Sequence, residues 1–238
     1  MLSVIAACAL LSVAPAVPLP EEIENTATQQ RAAAASQEAV LARMRQIRDA
    51  YNREKQPNEF QGKVCEAAEL LLQGRQAPLL LRFAAPDLGN QEQVNGFKNQ
   101  LAQIQMNIGL VQFKLDAMTE ELGNFKNDRA KQSKTWQAYY DYVSAHTHAR
   151  IAYVYEYNCQ LGRMRKDFPP RDATKHEGWK LMPGGPIRDP DAAKYARIAK
   201  THLDELMRQH AGNDWAKAAR ADLESVQTGL QWQAYSRK

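Results

Sequence analysis

The sequence predicts an all-α protein, on three observations. Ten apolar residues, Val94, Phe97, Leu101, Ile104, Ile108, Val111, Leu115, Met118, Leu122 and Phe125, are spaced alternately three and four apart. That spacing is the seam of a long helix packed lengthwise on another. A second run, Trp136, Tyr140, Val143, Thr147, Ile151, Val154, Tyr157, Leu161 and Met164, follows the same steps of three and four. The composition agrees: only 12 Gly and 11 Pro in 238 residues, with much Ala, Gln, Leu, Lys and Arg, whose straight side chains lose little rotamer freedom on a helix. No stretch alternates convincingly at period two, the mark of a half-buried strand.

Between the seams large apolar residues disappear, leaving Lys126, Asn127, Asp128, Arg129, Lys131, Gln132, Ser133 and Lys134, a natural solvated hairpin tip. The first seam is about 48 Å long and the return about 44 Å at 1.5 Å per residue. Matched lengths predict a coiled-coil-like antiparallel hairpin over 91–168, because two seams in one chain satisfy each other. The competing arrangements are one uninterrupted helix and a homodimeric coiled coil through the first seam.

Ahead of the hairpin, residues 1–16 contain no Lys, Arg, Asp or Glu, and a short apolar run ends at Ala14-Pro15-Ala16. This reads as a secretory signal peptide, too short for a comfortable membrane span, so the mature chain is expected to have no transmembrane segment. Ile5-Ala6-Ala7-Cys8 also fits a lipobox, which would make Cys8 a lipid anchor. Residues 17–90 read as linkers and two N-terminal helices that brace the hairpin. The first carries Val40, Met44, Ile47 and Tyr51 at helical spacing and stops before Pro57; the second, from Glu59 to Arg75, carries Val64, Ala67, Ala68, Leu71 and Leu72. Leu79-Leu80-Leu81 and Phe83 then form an apolar connector. Removing Cys8 with the signal leaves Cys65 and Cys159, an even pair compatible with one disulfide in an exported protein; the alternative is two buried thiols on separate helices.

Behind the hairpin, residues 169–189 are rich in Pro and Gly and read as a linker. Gly184-Gly185 is a turn there, since neither a Walker-type Lys nor a preceding strand accompanies it. Asp189-Pro190 is a helix start, with the Asp capping and the Pro in the first turn. Residues 190–238 then hold a helix pair and a tail, the first helix carrying Tyr195, Ile198, Ala199, His202, Leu203 and Leu206, the second Trp215, Ala218, Ala219, Leu223 and Val226.

The chemistry the sequence offers is sparse. A formal charge of +4 and a pI of 8.9 fall far short of a concentrated basic stripe. The two basic clusters, Lys126 to Lys134 and Arg163 to Lys175, fall at opposite ends of the hairpin, so no nucleic-acid partner is expected. His146 and His148 lie two apart and point to different helix faces, so they cannot chelate one metal. His176 and Glu177 lie in the linker with no Ser or Cys partner nearby. Lys200, Asp204, Glu205 and Arg208 are spaced as surface ion pairs. No catalytic residue, metal site or cofactor is expected, and the chain reads as a non-enzyme. The one crowded constellation is on the return helix, where Tyr139, Tyr140, Tyr142, Tyr153, Tyr155 and Tyr157 exceed a single apolar stripe. Tyr153, Glu156 and Tyr157 are the candidate ligand groove, with Glu156 as polar anchor; the alternative is that neighbouring helices cover the rings, each phenol finding a partner.

From Ile198 to Val226, the residues Ala199, Leu203, Leu206, His210, Gly212, Trp215, Ala216, Ala219 and Leu223 resemble the helix, short His-x-Gly loop and Ala-rich helix of tetratricopeptide-like repeats in bacterial envelope proteins. More loosely, Trp136-Gln137-Ala138-Tyr139-Tyr140-Asp141, Glu156-Tyr157 and Gly178-Trp179, with this helix pair, resemble the C-terminal part of uncharacterised exported planctomycete proteins, some of which carry a von Willebrand type A domain. The resemblance covers about residues 136–238 and implies export to the periplasm or beyond and a helical tail. It carries over no active-site residue. The expectation is a non-catalytic exported cell-envelope scaffold or protein-interaction module, engaging a protein partner or itself. The alternatives are a peptide or ligand binder using the tyrosine-rich groove, and a helical subunit of an envelope conduit or self-assembling coiled coil.

Overall fold

The computed structural model describes residues 38–73 and 79–236, and these are mostly helical. The elements follow the chain as a helix over 38–53 (α1), α2 (Glu59–Gln73), β1 (Arg82–Ala84), α3 (Gln91–Asn124), a single 3-10 turn (Arg129–Lys131), α4 (Lys134–Lys166), β2 (His176–Pro183), α5 (Pro190–Gln209), α6 (Asp214–Val226) and β3 (Leu230–Ser236). The signal peptide, Cys8 and the 17–20 linker expected from the sequence lie outside the described residues.

Helix α3 starts where Asn90 accepts the backbone N–H groups of Glu92 and Gln93, satisfying donors that a first turn leaves unpaired. Ser133 caps α4 in the same way through the N–H of Trp136. Side chains on α3 and α4 pair in opposite chain order. Gln105, early in α3, donates to Asn158 and accepts from Arg165, both late in α4, whereas Leu122, late in α3, accepts from the Tyr140 hydroxyl, early in α4. The tip is fastened by Arg129, whose guanidinium grips the Asp141 carboxylate at both oxygens, Nε to Oδ1 at 2.7 Å, and reaches Gln209 of α5 at 2.6 Å. Fork-on-fork geometry of this kind is among the stronger side-chain pairings.

Helix α4 is central and contacts α2, α3, α5, α6 and β3. Two cores form along it. At the tip end, Met44 and Ile47 of α1, Phe60 and Val64 of α2, and Leu203 and Leu206 of α5 close on Trp136, Tyr140, Tyr142 and Val143. At the other end, Phe97, Leu101, Ile108 and Leu115 of α3 meet Ile151, Val154, Tyr157 and Leu161, roofed by Phe83, Trp179, Leu181 and Leu230 from three strands.

Those strands correct the linker assignment. Residues 176–183, read as linker, and 230–236, read as tail, pair antiparallel with each other and with β1 in the order β1-β2-β3, bringing Phe83 opposite Trp179 and Leu181 opposite Trp232. Period-two alternation is therefore present after all: Leu230, Trp232 and Ala234 are covered while Gln231 and Gln233 are exposed. Strand β2 runs so close to β1 at Gly178 that a Cβ there would sit 2.0 Å from the Phe83 carbonyl oxygen, so only glycine fits, and the β2–β3 pairing is bulged between His176 and Gly178. Helices α5 and α6 pack on each other across a turn at Gly212, whose φ of 85° suits glycine.

Candidate functional site

The residues expected to anchor a ligand groove are consumed by the fold. Glu156 is 2 % exposed; one carboxylate oxygen accepts from Gln160 Nε2 at 2.9 Å and the other from the backbone N–H groups of Arg188 and Asp189 at 2.8 and 3.0 Å. It thus anchors the lead-in to α5, where Asp189 in turn caps the helix through the N–H groups of Asp191 and Ala192. Tyr157 is fully buried and its hydroxyl donates to the Leu80 carbonyl at 2.7 Å. Tyr153 is half-buried beneath the Arg150 guanidinium, 5.7 Å from its ring centre. These three side chains line no shared open groove. Burial pushes the phenols of Tyr153 and Tyr157 above their ordinary range.

The other tyrosines of α4 are also placed by packing. Tyr139 lies edge-on to Trp136 and Trp215, and Tyr155 stacks on Tyr195. Tyr142 donates to Asp222 of α6 at 3.1 Å, and the same carboxylate oxygen lies 3.2 Å from His146 Nε2. His148 sits on another side of α4, its Nδ1 donating to the Ser144 carbonyl at 2.7 Å and its ring 5.5 Å from that of His202 on α5. Burial, followed by the neighbouring His148, Lys126 and Arg129, pushes His202 down to about 4. Among the described residues no group of three or more His, Cys, Asp or Glu could hold a metal ion. No described helix is long and apolar enough to cross a membrane.

Cys65 on α2 and Cys159 on α4 are both free thiols, one buried and one half-buried. The disulfide expected as one option is not formed, and burial pushes both thiols above their ordinary value.

What sequence reasoning passed over lies on the outer side of α3. Met106, Leu110 and Phe113 are 67 %, 68 % and 75 % exposed, while the seam residues Leu101, Ile108 and Leu115 between and around them are buried. Steps of four and three put the three exposed side chains on one face, turned away from α4. Beside Phe113 the surface dips into an open hollow of about 490 Å³ lined by Asp116, Ala117, Thr119, Glu120 and, from α5, Tyr195. The Tyr195 hydroxyl donates to Asp116 at 3.1 Å and the Lys194 ammonium lies 5.5 Å over its ring. Burial, then the Asp116 carboxylate, pushes this phenol up to about 12, so it stays a neutral donor at physiological pH. An apolar stripe beside a shallow acid-rimmed hollow is suited to receive a helix face.

No protein-family model, no curated protein and no solved structure matches this chain.

Proposed function

We propose that this protein is a non-catalytic exported scaffold or protein-interaction module of the cell envelope, and that it engages protein through the outer face of α3. The observation that carries this is the exposure of Met106, Leu110 and Phe113 in one row along a helix whose opposite side is packed into the core. Contiguous apolar surface of this kind is costly to leave in water and marks a contact site. The non-catalytic part of the reading draws on where the acids of α4 are committed: Asp141 to Arg129, Glu156 to the start of α5, and the facing Asp222 to Tyr142 and His146. Export rests on the apolar, charge-free run of residues 1–16 and on the resemblance of the C-terminal part to exported helical proteins.

Crosslinking of the intact protein in its native envelope fraction, followed by mass spectrometry, tests the reading. Crosslinks from Lys98 and Lys114, which flank the stripe, to a protein surface are expected, and Phe113→Glu removes them. Crosslinks unchanged by Phe113→Glu would overturn it.

A further inference from the structure

We infer that the outer face of the three-stranded sheet docks on an anionic phospholipid surface, which the protein meets peripherally. The inference goes beyond the reading of α3, since it concerns a different element and a lipid partner. The strand registers fix which side chains share the face. Phe83 and Trp179 pair across β1 and β2 and turn into the core, so the residues next to them along each strand turn outward. One outward row is Arg82, Lys180 and Gln233; the next is Ala84, Gly178 and Tyr235. The pairing of β1 with β2 continues one residue further, the Leu181 N–H donating to the Leu81 carbonyl at 2.7 Å. That sets Leu80, which is 45 % exposed, beside Met182 in a third row.

The face is cationic and apolar at once. Arg82 and Lys180 lie directly opposite each other on neighbouring strands, an arrangement in which like charges destabilise a sheet. Among the described residues neither has a carboxylate partner. Arg82 instead reaches across β2 to Tyr235, its guanidinium 4.8 Å from the ring centre, and Gly178, which stands between them, has no side chain to block the reach. A guanidinium seated on a ring keeps its N–H edge available for the paired oxygens of a phosphate. The one acid in the three strands is Glu177, at the bulged end. Two adjacent cations with no acid facing them are complementary to an anion. The apolar row selects its source: a soluble phosphate or an acidic peptide would leave Leu80 and Met182 in water. At a bilayer surface such side chains enter the acyl boundary, the cations meet headgroup phosphates, and a tyrosine lies at the interface.

The test is co-sedimentation of the full chain with vesicles of phosphatidylcholine alone, or of phosphatidylcholine and phosphatidylglycerol in equal parts. Stronger binding to the anionic vesicles is expected, weakening as salt rises. Arg82→Gln and Lys180→Gln should each weaken it about fivefold, the effect of one cation near an anionic surface. Gln233→Lys extends the cationic row and should strengthen binding by about the same factor, a gain that loss of folding cannot mimic. Leu80→Ser is expected to weaken binding several-fold with the salt dependence kept. Lys217→Glu, at an exposed site on α6, lowers the net charge by more than either neutralisation and should leave binding unchanged. Equal binding to both vesicles would overturn the inference. So would anionic binding indifferent to Arg82, Lys180 and Gln233, as expected if the apolar residues 1–16 alone held the chain to lipid. Unaltered binding by Leu80→Ser would overturn the bilayer as occupant, and a loss in Lys217→Glu as large as in Lys180→Gln would reduce the attraction to net charge. The purified chain brings no protein partner to this assay, so failure here leaves the crosslinking test of α3 standing on its own.

Discussion

Helices α3 and α4 carry seams of the same period and nearly the same length, yet they live in different surroundings. Helix α4 is covered by four helices and a strand, and its buried residues include Gln137, Asp141, Ser144, Thr147, Glu156 and Gln160 as well as its apolar seam. Helix α3 is covered along one stripe, and its buried residues are all apolar. A helix enclosed on most sides must pair its polar groups internally, because an unsatisfied buried donor or acceptor costs as much as a lost hydrogen bond or more. Thr147 accordingly donates to the Val143 carbonyl, Gln160 to the Leu230 carbonyl, and Asp141 and Glu156 take two or more donors each, with the Ser144 hydroxyl, which has no hydrogen-bond partner, the exception. A peripheral helix carries no such obligation, and a second apolar row on it is left facing outward. Polar residues on α4 are therefore architectural, and the exposed apolar row on α3 is the surface we propose to engage protein.

Substitutions sharpen that contrast. The largest effect is expected at Asp141, whose side chain is 2 % exposed: Asp141→Ala strands the Arg129 guanidinium and should lower stability by about 3–5 kcal/mol in urea unfolding. A loss below about 1 kcal/mol would mean that Arg129 finds water instead, and that the tip is less enclosed than described. Next is a pH effect at α4's contact with α5. His202 is held neutral down to about pH 4, whereas in the unfolded chain it takes up a proton below about 6.5. The unfolded state then binds more protons in that window, so the stability is present above about pH 6.5 and lost as pH falls toward 4, by up to about 3 kcal/mol. His202→Gln should flatten this part of the stability profile; an unchanged slope would place the titration elsewhere.

Glu156→Gln keeps the shape of the side chain but removes the charge from the two backbone donors ahead of α5, at an expected cost of about 1–3 kcal/mol. Equal stability to wild type would return Glu156 to the pool of residues with another task. Smallest of all is α3: Phe113→Ala, at a side chain 75 % exposed, should change the stability of the single chain by less than about 0.5 kcal/mol. A larger loss in dilute solution would show the ring to be part of the fold.

Much of this contrast is legible in the residues and part of it is not. The seams at Val94 to Phe125 and Trp136 to Met164 are long and regular, so their helices follow from periodicity alone. The caps at Asp189 and the break at Gly212 are equally local. The strands are not, because Trp179 and Leu181 alternate over too few residues, Gly178 interrupts them, and Arg82–Ala84 is only three residues long; what makes them strands is each other. Leu230-Gln231-Trp232-Gln233-Ala234 did alternate, and its signal was hidden by shortness among helical neighbours. The fate of the tyrosines was closed to sequence reasoning for another reason: periodicity shows that a helix has more aromatic residues than one stripe, and cannot show that α2, α5 and α6 arrive to cover them. Met106, Leu110 and Phe113 were legible throughout as a second i, i+4, i+7 row, masked by the longer seam beside it.

Crosslinking of the intact protein in its native envelope fraction, wild type beside Phe113→Glu, tests the central claim most directly. The account predicts crosslinks from Lys98 and Lys114 to a protein surface in the wild type and their loss in the variant, with the thermal transition of the purified chain unchanged. Crosslinks that persist in the variant would contradict it.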